Sequence, residues 1–339
     1  MAWGRGKVQP MRFVVVGAGA IGGAVGGRLF ERGYDVTLVA RGDHGRALRS
    51  GLVLEAPDGT VTLPIPVVED PAHAQWHSDA DGDPVVLLAV KGQHTEHALA
   101  QLTAAAPPAA PVVCMQNGVE NERRVLRHFP NTYGICVMCP ATQLRPGVVQ
   151  VHSAPVSGML DLGAFPAGLG RHGQGIADAI ATSTFQSVAR ADIMRWKYRK
   201  LLMNLANAVE ALAGPEGRFA PLAREAQREG KEALAAAGID VVTAEEDRER
   251  RGDLLQMAPT PSGEWRGGSS WQSLARGTGS IEAEFLNGEI VLLGGLHGVP
   301  TPVNALLQRL AMIAAAEGAG PGSWSMAELS ELAGVPDGE

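Results

Sequence analysis

Residues 12–41 read RFVVVGAGAIGGAVGGRLFERGYDVTLVAR, and the fold turns on how they are read. A short β-branched run from Arg12 to Val16 breaks at Gly17-Ala18-Gly19-Ala20-Ile21-Gly22. It resumes with helical spacing and ends in a second strand-like run, YDVTLVA. A GxGxxG string by itself is weak evidence. Placed after a strand, at the opening of a helix and ahead of another strand, it gives each glycine a task. Gly17 permits the tight turn, Gly19 lets backbone amides approach a pyrophosphate, and Gly22 lets the helix pack on the strand. The helix that opens near Ala20 lends partial positive charge to a phosphate. The plain alternative is a tight turn with no ligand.

The end of the second strand separates NAD from NADP. NAD-binding folds place an acid there to hold the ribose hydroxyls, whereas this chain has Ala40 and then Arg41. With no carboxylate to repel it, a 2′-phosphate can pair with the Arg41 guanidinium. NADPH is the expected cofactor, with Asp43 two residues on weighing slightly against it. The bland reading of Arg41 is a solvated loop cation.

Further alternation follows. PVVLLAVK (84–91) and APVVCMQNG (110–118) are short apolar runs ending in polar residues, the pattern of parallel strands buried on both faces. Ligands of open α/β sheets bind at the C-terminal ends of such strands, which is where Lys91, Gln116, Asn117 and Gly118 fall. Each is equally readable as a strand-ending turn residue. GICVMCPATQLRPGVVQVH and VSGMLDLG read as strands of a hairpin-rich edge added to the parallel sheet. From about residue 190 the patterns are helical, so the sequence divides into a loose extension at 1–10, a nucleotide-binding domain at 11–190, a helical domain at 191–318 and a tail at 319–339.

Composition narrows the function classes. The chain has 339 residues, 45% of them hydrophobic and 19% charged, enough for two ordinary globular domains. A formal charge of −7 gives no general attraction for nucleic acid or anionic membrane. The first ten residues lack the apolar core of a signal peptide, and no run approaches a membrane span, so a soluble chain is expected. Cys114, Cys136 and Cys139 are too few for a disulfide framework and fit a reducing cytoplasm. The CVMC spacing lacks partner ligands for zinc, and His94 and His97 in HTEH lack a third ligand; no metal is expected. Those two histidines read as surface residues past the Lys91 turn, and His44 as lying near the adenosine end.

In WKYRKLLMNLANAVEAL (196–212), about 100° per residue places Asn204 roughly 40° from Lys200 and Asn207 about 20° away on the other side. The three share one stripe of an otherwise apolar helix. Reduction of a ketone builds negative charge on oxygen, and a lysine supplies both a proton and a fixed charge there. Taken alone, Lys200 is more readily a snorkelling side chain.

The GAGAIGG loop, Arg41 with His44 in RGDH, VK at 90–91, QNG at 116–118, W…RKLLMN at 196–204 and IEAEFLNG at 281–288 occur in the order found in ketopantoate reductases. Over residues 11 to about 315 the chain resembles that family. The resemblance implies an N-terminal Rossmann doubly wound sheet followed by an all-α domain like the C-terminal domain of 6-phosphogluconate dehydrogenase, with the active site in the cleft between them. It implies NADPH-dependent reduction of a 2-oxo acid, with 2-dehydropantoate (ketopantoate) going to pantoate. Lys200 would be the general acid, Glu282 a carboxylate contacting substrate, and Asn204 and Ser270 groups that hydrogen-bond it. Asn117 would be a cofactor-side partner of the lysine, and Arg41 and Lys91 would hold the 2′-phosphate end. Read without the family, Glu282 is a solvent-facing acid near a helix start and Ser270 part of a capping loop.

One position departs from the pattern. The family carries a second asparagine eight residues after the lysine, where this chain has Ala208; Asn207 is the nearest substitute, its amide rotated by about 100°. Such a change leaves room for a bulkier or less hydroxylated substrate. Trp265 and Trp271 offer an aromatic wall there, or simple core packing. Ser325 and Glu328 have capping-box spacing in the tail, which reads either as an oligomer arm of a homodimer or as a solvated appendage. The competing functions are a paralogue reducing another carbonyl or an imine, and a non-catalytic NADPH sensor.

Overall fold

In a computed structural model, residues 11–76, 83–263, 265–277 and 279–336 are described; the extension at 1–10 and the last three residues lie outside them. The chain folds as two compact units. The first takes the described residues of Met1–Gln116, Asn121–Met194 and Arg251–Trp265, and the second those of Asn117–Glu120, Arg195–Arg250 and Arg266–Glu339.

The strands of the first unit are β1 (Arg12–Val16), β2 (Asp35–Val39), β3 (Leu52–Ala56), β4 (Gly59–Leu63), β5 (Val67–Val68), β6 (Val85–Leu88), β7 (Val112–Cys114), β8 (Thr132–Met138), β9 (Ala141–Arg145), β10 (Val148–Val151), β11 (Ser153–Pro155), β12 (Gly158–Ala164), β13 (Phe185–Gln186) and β14 (Leu255–Met257). Eight form one sheet in the order β13-β12-β8-β7-β6-β1-β2-β5. Its centre is parallel, and only the β8–β12 pair runs antiparallel. The helices of this unit are α1 (Ala20–Glu31), α2 (Gly42–Leu48), α3 (Thr95–Ala105), α4 (Asn121–Leu126) and α5 (Gly173–Ala181). Both faces of the sheet are covered. Phe13 and Val15 join the core with Val25 and Leu29 of α1, while Val14 and Val16 join that with Leu99 and Leu102 of α3. This is the doubly wound architecture that the family resemblance implies.

The edge differs from expectation in part. β8 and β12 do extend the parallel sheet, but β9 and β10 leave it and join β3 and β4 in a second sheet, ordered β4-β3-β10-β9. The reason lies in the double glycines of α1. A Cβ at Gly26 would press on Val15 and Leu38 of the main sheet, at 3.2 and 3.0 Å. A Cβ at Gly23 would meet Val149 at 2.8 Å, and one at Gly27 Leu52 at 3.1 Å, both in the second sheet. The helix is a filling between two sheets, and only a residue without a side chain allows both approaches. Past residue 190, β14 pairs with β11 in a short ribbon, a strand too brief to register in a helical pattern.

The second unit holds α6 (Ile193–Asn204, from Arg195 onward), α7 (Ala206–Ala213), α8 (Pro221–Ala236), α9 (Ala244–Arg251, as far as Arg250), α10 (Ser269–Ala275), α11 (Asn287–His297), α12 (Pro302–Ala316) and α13 (Met326–Ala333). The run read as one helix over 196–212 is interrupted at Leu205, between α6 and α7. Asn287 explains how the break is tolerated, because its amide donates to the Leu205 carbonyl at 3.2 Å and to Asn304 Oδ1 at 3.0 Å. Asn304 donates in turn to Glu229, whose carboxylate also accepts the backbone N–H groups of Val303 and Asn304 at the start of α12. A buried acid at a helix N-terminus is satisfied there by both hydrogen bonds and dipole. The tail is part of this unit: Gly322 and Trp324 donate to the last carbonyls of α7, Ala211 and Leu212, each at 3.0 Å. α13 follows with the Ser325–Glu328 capping box formed. No helix of the described residues is long and apolar enough to cross a membrane.

Candidate active site

In the first unit the glycine-rich corner is pinned on both sides. Gly17 donates to Val39 O at 3.1 Å, and Ala89 to Val16 O at 2.8 Å. Gly17 sits at φ +97°, and a Cβ there would lie 2.7 Å from the Val90 backbone nitrogen, so both conformation and space demand glycine. Gly22 is equally constrained, its Cβ position lying 2.1 Å from the Gly17 carbonyl. Gly19 is different. A Cβ there meets nothing within 4 Å, so the corner opens outward at the residue meant to let a pyrophosphate approach. Ala20 begins α1 beside it, and Gly23 donates to Gly19 O at 2.7 Å as the helix opens.

Arg41 follows β2 and is exposed; its guanidinium donates to His97 Nε2 at 2.8 Å. A guanidinium has no acceptor, so this imidazole nitrogen carries no proton. His97, read as a plain surface residue, therefore stands beside the cation expected at the 2′-phosphate. Helical spacing alone could not reveal that pairing, because the two residues are 56 positions apart. Lys91 is half-buried at the turn before α3, and its carbonyl accepts from His94 N at 2.8 Å. Gln116, just past the end of β7, is buried and donates to Thr95 Oγ1 at 3.0 Å.

The second unit gathers the residues expected near the reacting carbon. Lys200 is half-buried on α6, and Asn204, one turn later, is 4% exposed. Asn204 donates to Asn117 Oδ1 at 3.3 Å. Asn117 begins the short Asn117–Glu120 segment that belongs to this unit. Its neighbour Gly118 has φ +79°, and a Cβ there would come within 2.9 Å of the Phe285 carbonyl. Phe285 ends the 3-10 turn that starts with Glu282. The asparagine turn thus touches both the lysine helix and the segment bearing the glutamate. Glu282 is only 5% exposed, which rules out the solvent-facing reading. Burial pushes the Arg276 guanidinium below its ordinary pKa, and the Glu282 charge pulls it back up. An arginine beside the acid was not anticipated.

Asn207 is placed differently from Asn204. It is buried, and its Oδ1 accepts from Arg218 at 3.2 Å. Arg218 also pairs with Glu210 at 2.8 Å, and the other Glu210 oxygen accepts Gly268 N at 3.1 Å. This network holds the GGSS loop to α7 and commits the Asn207 carbonyl to it. The missed signal was Glu210, an acid in the middle of ANAVEAL, which must be paired if the helix is buried. Ser270 is 2% exposed in the first turn of α10. Ala208 is 1% exposed. Trp271 packs over Gly267, whose Cβ position lies 2.6 Å from the ring, while Trp265 stacks edge-on against His152 in the first unit.

A glycine-cornered βαβ unit followed by a helical unit bearing a lysine, paired asparagines and a buried glutamate defines an oxidoreductase of the nicotinamide-dependent class. Residues 13–167 match the family described as Ketopantoate reductase PanE/ApbA, and residues 192–314 its C-terminal domain. The chain belongs to this family. It is 26% identical over 331 residues to a 2-dehydropantoate 2-reductase of Pyrococcus horikoshii, spanning 92% of this chain and 100% of the relative. A 2-dehydropantoate 2-reductase of Archaeoglobus fulgidus is 28% identical over 312 residues, covering 89% of this chain and 97% of that one. Among solved structures, a PanE/ApbA family ketopantoate reductase from Ralstonia eutropha superposes with a TM-score of 0.74 at 26% identity, covering 91% of this chain and 99% of that one. A D-mandelate dehydrogenase solved with NADH and anilino(oxo)acetate has a TM-score of 0.76 at 20% identity, over 91% and 99% of the two chains, a likeness of fold.

Proposed function

We propose that this protein is a cytoplasmic NADPH-dependent 2-oxo acid reductase, with 2-dehydropantoate as the first candidate substrate and pantoate as product. The observation that carries the proposal is the Asn204–Asn117 hydrogen bond one turn from Lys200, made by a turn that also packs on the Glu282 segment.

The first unit fits a dinucleotide: the corner is forced to glycine at Gly17 and open at Gly19, and Arg41 is exposed past a strand end with no acid. Gly17, Gly19, Ala20 and Gly22 would take the pyrophosphate, and Arg41 and Lys91 the 2′-phosphate. When bound, the cofactor supplies a hydride to the substrate's carbonyl carbon. As charge develops on the carbonyl oxygen, the Lys200 ammonium donates a proton to it. Asn204, braced by Asn117, orients the substrate's polar groups, Ser270 hydrogen-bonds it, and Glu282 contacts it as a carboxylate. The NADP preference rests on Arg41, and a chain with only three cysteines suits the reducing cytoplasm. Assembly as a homodimer belongs to the same reading.

A second reading has a specific observation behind it. Ala208 stands where the family has an asparagine, and the Asn207 carbonyl is already engaged by Arg218. The carbonyl oxygen of the second amide is therefore already in use, leaving only its N–H donors for a substrate, which favours a carbonyl or imine substrate less hydroxylated than ketopantoate. The test is NADPH oxidation against ketopantoate, a panel of 2-oxo acids with apolar side chains, and the same acids with added amine. Turnover of ketopantoate above the panel supports the first reading; turnover only with the panel or only with amine supports the second. NADPH binding with no turnover on any of them would reduce the protein to a sensor.

A further inference from the structure

His44 lies in α2, just past Arg41, and both of its ring nitrogens are engaged. Gly147 N–H donates to Nδ1 at 3.0 Å, and Nε2 lies 2.8 Å from the Ala18 carbonyl oxygen. A backbone N–H can only donate, so Nδ1 carries no proton; a carbonyl can only accept, so Nε2 carries one. The two neighbours together dictate a neutral imidazole in the Nε2–H tautomer.

The two neighbours are not equivalent. Gly147 is held firmly: it sits at φ +77°, its carbonyl accepts from Val53 of β3 at 3.0 Å, and its Cβ position lies 3.0 Å from Ala47 on the next turn of α2. Ala18 is the second residue of the glycine corner, where Gly19 opens outward. His44 therefore ties the open corner to a rigid sheet. The Ala18–Gly19 peptide is planar and trans, so its C=O and N–H point in opposite directions. Holding the carbonyl toward His44 aims the Gly19 N–H away from it.

We infer that His44 is a positioning residue for the cofactor: by fixing the Ala18 carbonyl, its Nε2–H presets the Gly19 N–H as a phosphate donor before NADPH arrives. This rests on the reading of the corner as a dinucleotide site. Preorganisation lowers the cost of binding without touching the reacting atoms, so the effect falls on cofactor affinity rather than on turnover.

Two substitutions separate this role from a merely structural one. Asn places its amide where Nδ1 was and can still meet Gly147, but it does not reach Ala18; Gln places its amide near Nε2 and can donate to the Ala18 carbonyl. His44→Asn is expected to raise the KM and Kd for NADPH about tenfold, with kcat at saturating cofactor unchanged, and His44→Gln to stay within about threefold of wild type. Equal impairment of the two, or normal affinity in His44→Asn, overturns the inference. Should the variants not fold, nitrogen-15 spectra of histidine-labelled wild type decide it alone: a neutral Nε2–H ring at neutral pH supports it, and a charged ring or the Nδ1–H tautomer overturns it. Failure of the wild type to bind NADPH at all would overturn the cofactor reading along with this one, whereas normal wild-type binding with an unaffected Asn variant would overturn this one only.

Discussion

Asn204 Nδ2 lies 3.3 Å from Asn117 Oδ1, joining a residue of the lysine helix to one that stands 87 positions earlier. Both belong to the second unit, although Asn117 directly follows Gln116 of the first. If the pair braces the substrate's polar groups, each alanine variant should lower kcat/KM about tenfold, and the double variant should fall short of the summed losses by about 1 kcal/mol. Strict additivity in a double-mutant cycle would show that the bond does no catalytic work.

Lys200→Ala is expected to lower kcat about 100-fold or more while NADPH affinity stays level, the range for a lost general acid. Lys200→Arg separates charge from proton: arginine keeps the cation but holds its proton too tightly to donate, so kcat should remain low. Near-normal turnover in either variant, measured under saturating cofactor, removes the assigned role.

Arg41→Ala should weaken NADPH about 10- to 100-fold, the size of a charge-assisted hydrogen bond to phosphate, and leave NADH unchanged. Equal KM changes for the two cofactors would argue that Arg41 serves only its partner His97.

Asn287 is 1% exposed and donates to Leu205 O and Asn304 Oδ1. Asn287→Ala leaves both acceptors buried without it, at a cost of about 2–4 kcal/mol in chemical denaturation. A loss under about 1 kcal/mol would show that the α6–α7 break needs no such support.

His152 supplies a pH dependence. It is 1% exposed, and burial pushes its pKa below the ordinary histidine value, with the Glu55 charge opposing. Thr142 Oγ1 donates to Gln150 and so accepts from His152 Nε2, leaving Nδ1 with no partner among the described residues. A depressed folded-state pKa means that the unfolded chain binds the proton first. Stability is full above about pH 6.5 and is lost as pH falls from there through the folded value. Melting temperature followed from neutral to mildly acid pH should drop in the wild type and flatten in His152→Gln; parallel curves would refute this assignment.

Much of this protein is written in local pattern. The glycine corner, the buried parallel strands, the change to helical spacing near residue 190 and the Lys200–Asn204 stripe all follow from backbone geometry and the burial of apolar side chains, which act over a few residues. The second glycine face of α1 is present in the sequence, but which surface packs on Gly23 and Gly27 depends on strands far away in the chain. What the tertiary structure alone decided are the partners of polar side chains: Asn117 with Asn204, Asn207 with Arg218, Arg41 with His97, and His44 between Ala18 and Gly147. Hydrogen bonds are short and directional, so they depend on positions set only once the whole chain has packed, and spacing along the sequence carries no record of them.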